Sequence, residues 1–311
     1  MTFNKRLKES DYGLVKVSDL PKAEAWEAVR DTVDYPVNIV NAYYKKDDKF
    51  VNANGETNTG REKNFNLVVV DKFRNGNDQA IATVTGGYGT VVTKDVYVDF
   101  EKQMGLTEQD YSVEQVYVTG NGGAQSLTLS FNDMMNLDCV PDALVMKVRL
   151  DTSVDGTKQH TLSMLVHNKT GDVSSAVYGG DYKLAARHTT TINERTIDFL
   201  PSLSVMVKNW NAVIMPMMNL MFDKKFEKKA AVEVLTEIAD TAGIGERHQE
   251  KIRSLYESDQ VRTNDKSHSM YRIAATLNQY VEDNFEEKRD LQVKFKDSVA
   301  KTVQKFMKSA K

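Results

Sequence analysis

The pattern of apolar and polar positions changes near residue 184 of the chain. Before that point, short runs rich in Val, Tyr, Thr and Phe alternate with clusters of Gly, Asn and Asp, which is typical of β-strands joined by turns. The predicted strands are Val37–Tyr44, Asn66–Phe73, Ile81–Thr85, Gln115–Val118, Ser126–Phe131, Ala143–Asp151, His160–Asn168 and Ser174–Val177. Two short helices, Lys22–Arg30 and Val96–Met104, are predicted among them.

The connections between these runs favour an antiparallel sheet. Asn-Gly or Asp-Gly pairs, which supply the positive φ that tight hairpins need, stand between neighbouring runs at Arg74–Asn77, Thr119–Gly123 and Asp155–Gly156. Parallel strands would need longer connections, which are mostly helical, and the intervals here are too short for most of them.

From Leu184 onward the apolar spacing becomes helical. Apolar residues recur every three or four positions over Ile197–Phe222, which predicts a long helix with a kink at Pro216. Further helices are predicted over Lys224–Thr241, Glu246–Ser258, Ser267–Asn284 and Asp290–Lys308. The expected fold class is therefore α+β, with an antiparallel β-rich core followed by a helical C-terminal half. We expect a β-rich domain with a short N-terminal helix over 1–185 and a helical region packed on it over 186–311.

Composition excludes several classes of protein. The chain has 311 residues, with 41 Lys and Arg against 44 Asp and Glu, and a formal net charge of −3. Its single cysteine, Cys139, excludes a disulfide framework and a Cys-based zinc or iron–sulfur site. Polar residues interrupt the longest apolar run, Val205–Phe222, and Met1–Glu9 is too polar for a secretory signal. We expect a soluble protein of a reducing compartment without a membrane partner.

The sequence contains no strong catalytic or metal-binding motif. Gly-rich segments such as Gly86–Gly89 lack the Gly-Lys-Ser/Thr ending of a phosphate-binding loop. The five histidines show neither His-x-x-x-His nor His-Glu-x-x-His spacing. We therefore expect no enzyme, no metal and no cofactor. The best catalytic combination that the sequence offers is His188 with Asp155 and His167.

Two clusters combine aromatic and basic residues, as surfaces that bind single-stranded nucleic acid do. In such surfaces bases stack on the rings, each stacked base contributing roughly 1–3 kcal/mol, and cations follow the phosphates. The alternative is that the Tyr–Lys neighbours are ordinary residues of strands and helix starts. The candidate nucleic-acid-binding residues are Tyr43, Tyr44, Lys45, Lys46, Arg61 and Lys63 in the first cluster and Tyr182, Lys183 and Arg187 in the second.

The last predicted helix carries a basic stripe. The segment 288–311 holds eight basic and two acidic residues, a net charge of +6. Such a helix can bind phosphates or the acidic face of another protomer. The alternative is a solvated face with internal pairs such as Asp297–Lys301. At 100° per residue, four candidate binding residues fall within one narrow sector, opposite and beside an apolar stripe: Lys294, Lys301, Lys305 and Lys308.

Six short segments between residues 80 and 285 carry a resemblance to a known family. They are Tyr88–Phe100, Tyr111–Phe131 with its Gly122-Gly123 hairpin, Asp151–Gly156, Val166–Asn168, Arg187–Thr189 and Thr263–Ser267. In this order they resemble a phage- and plasmid-borne family catalogued as a domain of unknown function (DUF932-type). The chain departs from it at His167, where the family has Cys, and at Val154, where the family has His. The family has no assigned chemistry, so the resemblance implies a phage or mobile-element origin.

In size and plan the chain is also similar to the single-stranded-DNA-binding RNA-polymerase cofactors of some podophages. The leading hypothesis is a phage-encoded single-stranded-DNA-binding protein of the host cytoplasm. It would act in phage transcription, replication or recombination by phosphate neutralisation and base stacking. The expected partners are single-stranded DNA, a phage RNA polymerase or replication protein, and further copies of the chain. The alternative is a protein-interaction or host-takeover factor that binds no nucleic acid.

Overall fold

The computed structural model describes residues 13–42, 65–70, 78–84, 88–89, 93–119, 122–131, 141–156, 159–176, 183–186, 202–285 and 289–309. The strands in these ranges are β1 (Leu14–Lys16), β2 (Val37–Ala42), β3 (Phe65–Val70), β4 (Gln79–Val84), β5 (Tyr111–Val118), β6 (Ala124–Phe131), β7 (Leu144–Ser153), β8 (His160–Asn168), β9 (Val173–Ala176) and β10 (Lys183–Ala186). The helices are α1 (Lys22–Val33), α2 (Thr93–Gly105), α3 (Ser202–Asp223), α4 (Lys228–Thr241), α5 (Glu246–Glu257), α6 (Met270–Asn284) and α7 (Arg289–Ser309).

The main sheet has seven antiparallel strands. Its order is β1-β5-β6-β7-β8-β10, and β9 pairs with β8 beyond the end of β10. The hairpins close through glycines with positive φ, Gly122 (74°) between β5 and β6 and Gly156 (75°) between β7 and β8. Only glycine adopts this backbone region without strain, which is why Asn-Gly and Asp-Gly pairs mark these turns in the sequence. The expected α+β class and antiparallel sheet are confirmed.

A second, three-stranded antiparallel sheet is formed by β2, β3 and β4. Val68 and Val70 of β3 are fully buried, whereas Ile39 and Val40 of β2 are exposed. β2 and β3 pair from Val37 opposite Val70 to Ala42 opposite Phe65.

Helices cover one face of the main sheet with apolar side chains. A continuous apolar core includes Trp26 of α1, Phe100 of α2, Met146 of β7, Met218 of α3 and Leu277 of α6. The indole Nε1 of Trp26 donates a hydrogen bond to the hydroxyl of Tyr111 at 3.2 Å, so the polar atom of this large buried ring has a partner. The core therefore includes side chains from both halves of the chain. The predicted division at residue 185 stays a prediction.

A buried carboxylate, Asp142, joins the start of β7 to the helical half. It accepts hydrogen bonds from the hydroxyl of Tyr271 (2.8 Å), from Nδ2 of Asn168 (2.8 Å), from the backbone N–H of Asn264 (2.8 Å) and from the hydroxyl of Thr263. Burial, together with the nearby charge of Asp142, raises the pKa of Tyr271. Since four donors satisfy the carboxylate, this contact fixes α6 and the loop before it on the sheet.

Candidate nucleic-acid interface

Helix α7 lies on the protein by one face and exposes its lysines on the other. Val299, Thr302 and Val303 are at most 5% exposed, and α7 packs against α4, α6 and β9. This arrangement follows from the spacing of apolar residues at three and four positions along α7, which gathers them on one side. The exposed side chains include all four lysines that the sequence places in one sector: Lys294, Lys301, Lys305 and Lys308.

One basic residue of the same helix is removed from solvent. Lys296 is 5% exposed, and its ammonium group lies 3.0 Å from Oε1 of Glu282 on α6. The other carboxylate oxygen of Glu282 accepts the backbone N–H of Ser174 in β9 at 3.2 Å. Lys296 therefore anchors α7 to α6 and β9, and its charge does not add to the exposed stripe.

Two further lysines, which the sequence analysis did not select, belong to the same region. Lys224 lies between α3 and α4, and its Nζ donates a hydrogen bond to the carbonyl of Phe306 in the last turns of α7 at 3.4 Å. Lys225 pairs with Ser269 in an isolated β-bridge, which fixes the segment. The ammonium group of Lys225 lies 5.1 Å from the ring centre of Phe222. The sequence did contain a signal for Lys224 and Lys225 as binding residues, because Phe222 and Phe226 lie on either side of this adjacent pair.

We call these six residues the lysine surface: Lys294, Lys301, Lys305 and Lys308 of α7, with Lys224 and Lys225. At 1.5 Å per residue, its four helical members extend over roughly 21 Å. The ammonium groups of Lys225 and Lys224 lie 5.1 and 5.9 Å from the ring centres of Phe222 and Phe226, which are partly buried. The region thus combines cations along a line with aromatic side chains, which is the chemistry that a single-stranded polyanion requires.

Most residues of the two aromatic-basic clusters lie outside the described ranges. Lys183 occupies the first position of β10, opposite Ser163 of β8. The role of Lys183 in nucleic-acid binding stays a prediction, and so does the role of the other residues in these clusters. The candidates outside the described residues are Tyr43, Tyr44, Lys45, Lys46, Arg61, Lys63, Tyr182 and Arg187.

His167 and Asp155, two members of the catalytic combination considered in the sequence analysis, lie far apart in the structure. His167 pairs in register with Val145 near the start of β7, whereas Asp155 follows the end of that strand. Eight residues of strand between Val145 and Ser153 correspond to roughly 27 Å, far beyond hydrogen-bond reach. The third member, His188, lies outside the described residues. His167 and Asp155 therefore cannot act as a catalytic pair.

His167 instead makes structural contacts. Its Nδ1 lies 3.0 Å from the hydroxyl of Ser174, and its Nε2 lies 3.5 Å from a carboxylate oxygen of Asp172. Burial, assisted by the positive charge of Lys147, lowers the pKa of His167 to about 4. The imidazole is therefore neutral at pH 7.

The second face of the main sheet is polar and also buried. Two ion pairs lie on it, Lys147 with Glu114 and Arg149 with Asp151, each at 2.8 Å. Thr128, Arg149 and Ser163 are directly opposite one another on β6, β7 and β8, so their side chains share this face. Among the described residues, Oγ1 of Thr128, Nη2 of Arg149 and Oγ of Ser163 are buried without a hydrogen-bond partner. The sequence analysis did not predict that this polar face would be buried.

The described ranges contain no group of three or more His, Cys, Asp or Glu side chains that could hold a metal ion. Within the same ranges, every helix is too short or too polar to cross a lipid bilayer. Neither a family model, nor a curated protein, nor a solved structure matches the chain. A function is therefore argued from the geometry and charge of the lysine surface.

Proposed function

We propose that the protein binds single-stranded nucleic acid through the lysine surface. The observation that carries the proposal is the exposure of Lys294, Lys301, Lys305 and Lys308 in one sector of a helix whose other face is docked. A docked helix presents its charges in a fixed line, so a flexible strand can follow them with little loss of conformational freedom in the protein.

The mechanism is neutralisation of backbone phosphates, without reading of base sequence. Each lysine that contacts a phosphate displaces condensed counterions, so affinity falls with salt by about 0.7 logarithmic units per contact and per tenfold change in concentration. Phe222 and Phe226 offer partly exposed rings beside Lys224 and Lys225, on which a base can stack. Phosphate contacts carry no sequence information, so binding tolerates any sequence.

The biological setting that we propose is phage transcription, replication or recombination in the host cytoplasm. It is supported by the six motifs between residues 80 and 285 that resemble the phage- and plasmid-borne family. Single strands are exposed in all three processes, and a phage RNA polymerase or replication protein is the protein partner that fits this setting. Neither an enzymatic activity nor a cofactor is part of the proposal.

The first test is fluorescence anisotropy with a labelled oligonucleotide of about 20 deoxythymidines and with a duplex of the same length, at 50 and 200 mM salt. With six phosphate contacts, the fourfold increase in salt should weaken single-strand binding roughly 340-fold. The triple variant Lys301→Glu, Lys305→Glu and Lys308→Glu should bind weakly, with a much flatter salt dependence.

A matched control separates local from overall charge. Lys16→Glu, Lys102→Glu and Lys251→Glu change the net charge by the same amount at exposed positions on β1, α2 and α5. If this control weakens binding as much as the α7 variant, the lysine surface is not the site. Absence of binding to either oligonucleotide at 50 mM salt would contradict the proposal and favour the protein-interaction hypothesis.

A further inference from the structure

A partly enclosed cavity of about 70 Å³ lies between the main sheet and three helices. Its walls come from β7, β8 and β9 on one side and from α3, α6 and α7 on the other. Protein interiors are close-packed, and voids larger than a water molecule are few in a domain. The apolar part of the lining is rich in methionine and valine: Met217, Met218, Met221, Val299, Val303 and Met307.

Among the described lining residues, Asn278 carries a fully buried acceptor, Oδ1, that has no hydrogen-bond partner. Asn278 of α6 is 3% exposed, and its Nδ2 donates a hydrogen bond to the carbonyl of Ala274 at 2.8 Å. Its Oδ1 accepts no hydrogen bond from any described residue. Two other polar lining residues are committed elsewhere, because Asn168 and Tyr271 both donate to Asp142. A buried carbonyl oxygen without a donor is unfavourable, and a ligand that donates a hydrogen bond to it removes that cost.

We propose that this cavity binds a small neutral molecule, or the end of a larger one, with a short alkyl body and a single hydrogen-bond donor. The lining residues that the structure describes include no charged side chain, so a neutral ligand fits them better than an ionic one, because a buried unpaired charge is strongly unfavourable. An apolar cavity of about 150 Å³ takes benzene, so about 70 Å³ suits three or four heavy atoms. Methionine side chains have several rotatable bonds and adapt to such ligands. A short-chain alcohol has the matching chemistry.

A ligand in the cavity would be in contact with helix α7. Val299, Val303 and Met307 line the cavity from the docked face of α7, and the exposed lysines lie on its other face. A bound molecule fills space between α7, α3 and α6, so it should stabilise the docking of α7. This inference does not depend on nucleic-acid binding.

The test uses 1-propanol as the probe and saturation-transfer difference NMR on the full chain. A saturable signal is expected at millimolar concentration, together with slower amide exchange in α7. Ala300→Leu places a larger side chain in the cavity and should reduce the signal at least tenfold. Ala230→Leu, a control at a partly buried position of α4 outside the cavity, should leave the signal unchanged.

A second variant guards against disruption of α7 by Leu at position 300. Ala275→Leu fills the same cavity from α6 and should abolish the signal in the same way. The proposal is overturned if 1-propanol gives no saturable signal with the wild-type protein. It is equally overturned if a folded Ala300→Leu or Ala275→Leu variant keeps the wild-type signal.

Discussion

The ammonium group of Lys296 on α7 lies 3.0 Å from the carboxylate of Glu282 on α6, and this pair anchors the docked face of the helix. Lys296 is 5% exposed, while Lys294 and Lys301 on the same helix are exposed. The carboxylate of Glu282 also accepts the N–H of Ser174, so the pair ties three elements together. Lys296 is therefore a structural residue of α7, whereas Lys294, Lys301, Lys305 and Lys308 of the same helix are exposed.

The substitution Lys296→Ala should therefore lower the free energy of unfolding more than it lowers the affinity for single-stranded nucleic acid. Loss of one partner of a buried ion pair leaves the other uncompensated, and since Glu282 remains 29% exposed we expect a loss of about 2 kcal/mol in the free energy of unfolding. Urea denaturation measures this loss. Lys301→Ala is the matched variant on the exposed face, for which the expected change is below about 0.5 kcal/mol. Equal losses for both variants would contradict the anchoring role.

Each exposed lysine of α7 that contacts a phosphate should contribute a fixed amount to the salt dependence of the affinity for single-stranded nucleic acid. If Lys305 contacts one phosphate, Lys305→Ala reduces the slope of log affinity against log salt by about 0.7. The reduction should be the same for oligo-deoxythymidine and oligo-deoxyadenosine, because a phosphate contact does not depend on the base. The measurement is an anisotropy titration at four salt concentrations. An unchanged slope would remove Lys305 from the interface.

Periodicity was sufficient to predict most of the fold. Within the described residues, the helices and eight of the strands lie within about five residues of their predicted bounds, because their apolar repeats are local properties of the sequence. The predicted ends at Tyr44, Phe73, Thr85, Val177 and Ile197 lie outside the described residues. The strands β1 and β10, of three and four residues, were missed. Such short strands owe their conformation to pairing with β5 and β8, which no local pattern records.

Part of the candidate site was also predictable, because it depends on a local pattern within one helix. The sector that holds Lys301, Lys305 and Lys308 follows from helical geometry alone, since these residues lie on one helix. The contact of Lys224 with Phe306 joins residues 82 positions apart and depends on how α3 and α7 pack. Burial of Lys296 depends equally on a distant residue, Glu282. Contacts between elements thus account for what the sequence did not reveal.

Removal of the hydroxyl of Thr128 should leave stability unchanged or increase it. Thr128 is 5% exposed on the polar face of the sheet, and its Oγ1 has no partner within the described part of the chain. Thr128→Val replaces an unsatisfied buried hydroxyl with a methyl group, so the free energy of unfolding should rise by up to about 1 kcal/mol. Thr107→Val is the control, because the hydroxyl of Thr107 donates to the carbonyl of Met104 at 2.7 Å and its loss should destabilise by about 1 kcal/mol. A destabilised Thr128→Val would contradict this expectation and show that the hydroxyl has a hydrogen-bond partner in the folded protein.

Stability should fall as the pH is lowered from 7 to 4, and His167 should account for part of the fall. Burial and Lys147 lower the pKa of His167 to about 4, against about 6.5 in the unfolded chain. Between these values the unfolded state binds more protons, so stability increases with pH. The contribution of His167 is fully present above about pH 6.5 and is lost as the pH falls toward 4.

The full contribution corresponds to about 3 kcal/mol, with a maximal slope of about 1.4 kcal/mol per pH unit. Lys169 and Lys296 lower the pKa of His167 further, and Asp172 opposes them. His167→Asn removes the titrating group, so the difference in unfolding free energy between the two proteins should shrink steadily from pH 7 to pH 4. Because carboxylates elsewhere titrate in both proteins, the difference isolates His167. A difference that stays constant over this range would mean that His167 titrates normally in the folded protein, and that its contacts with Ser174 and Asp172 do not exclude the charged form.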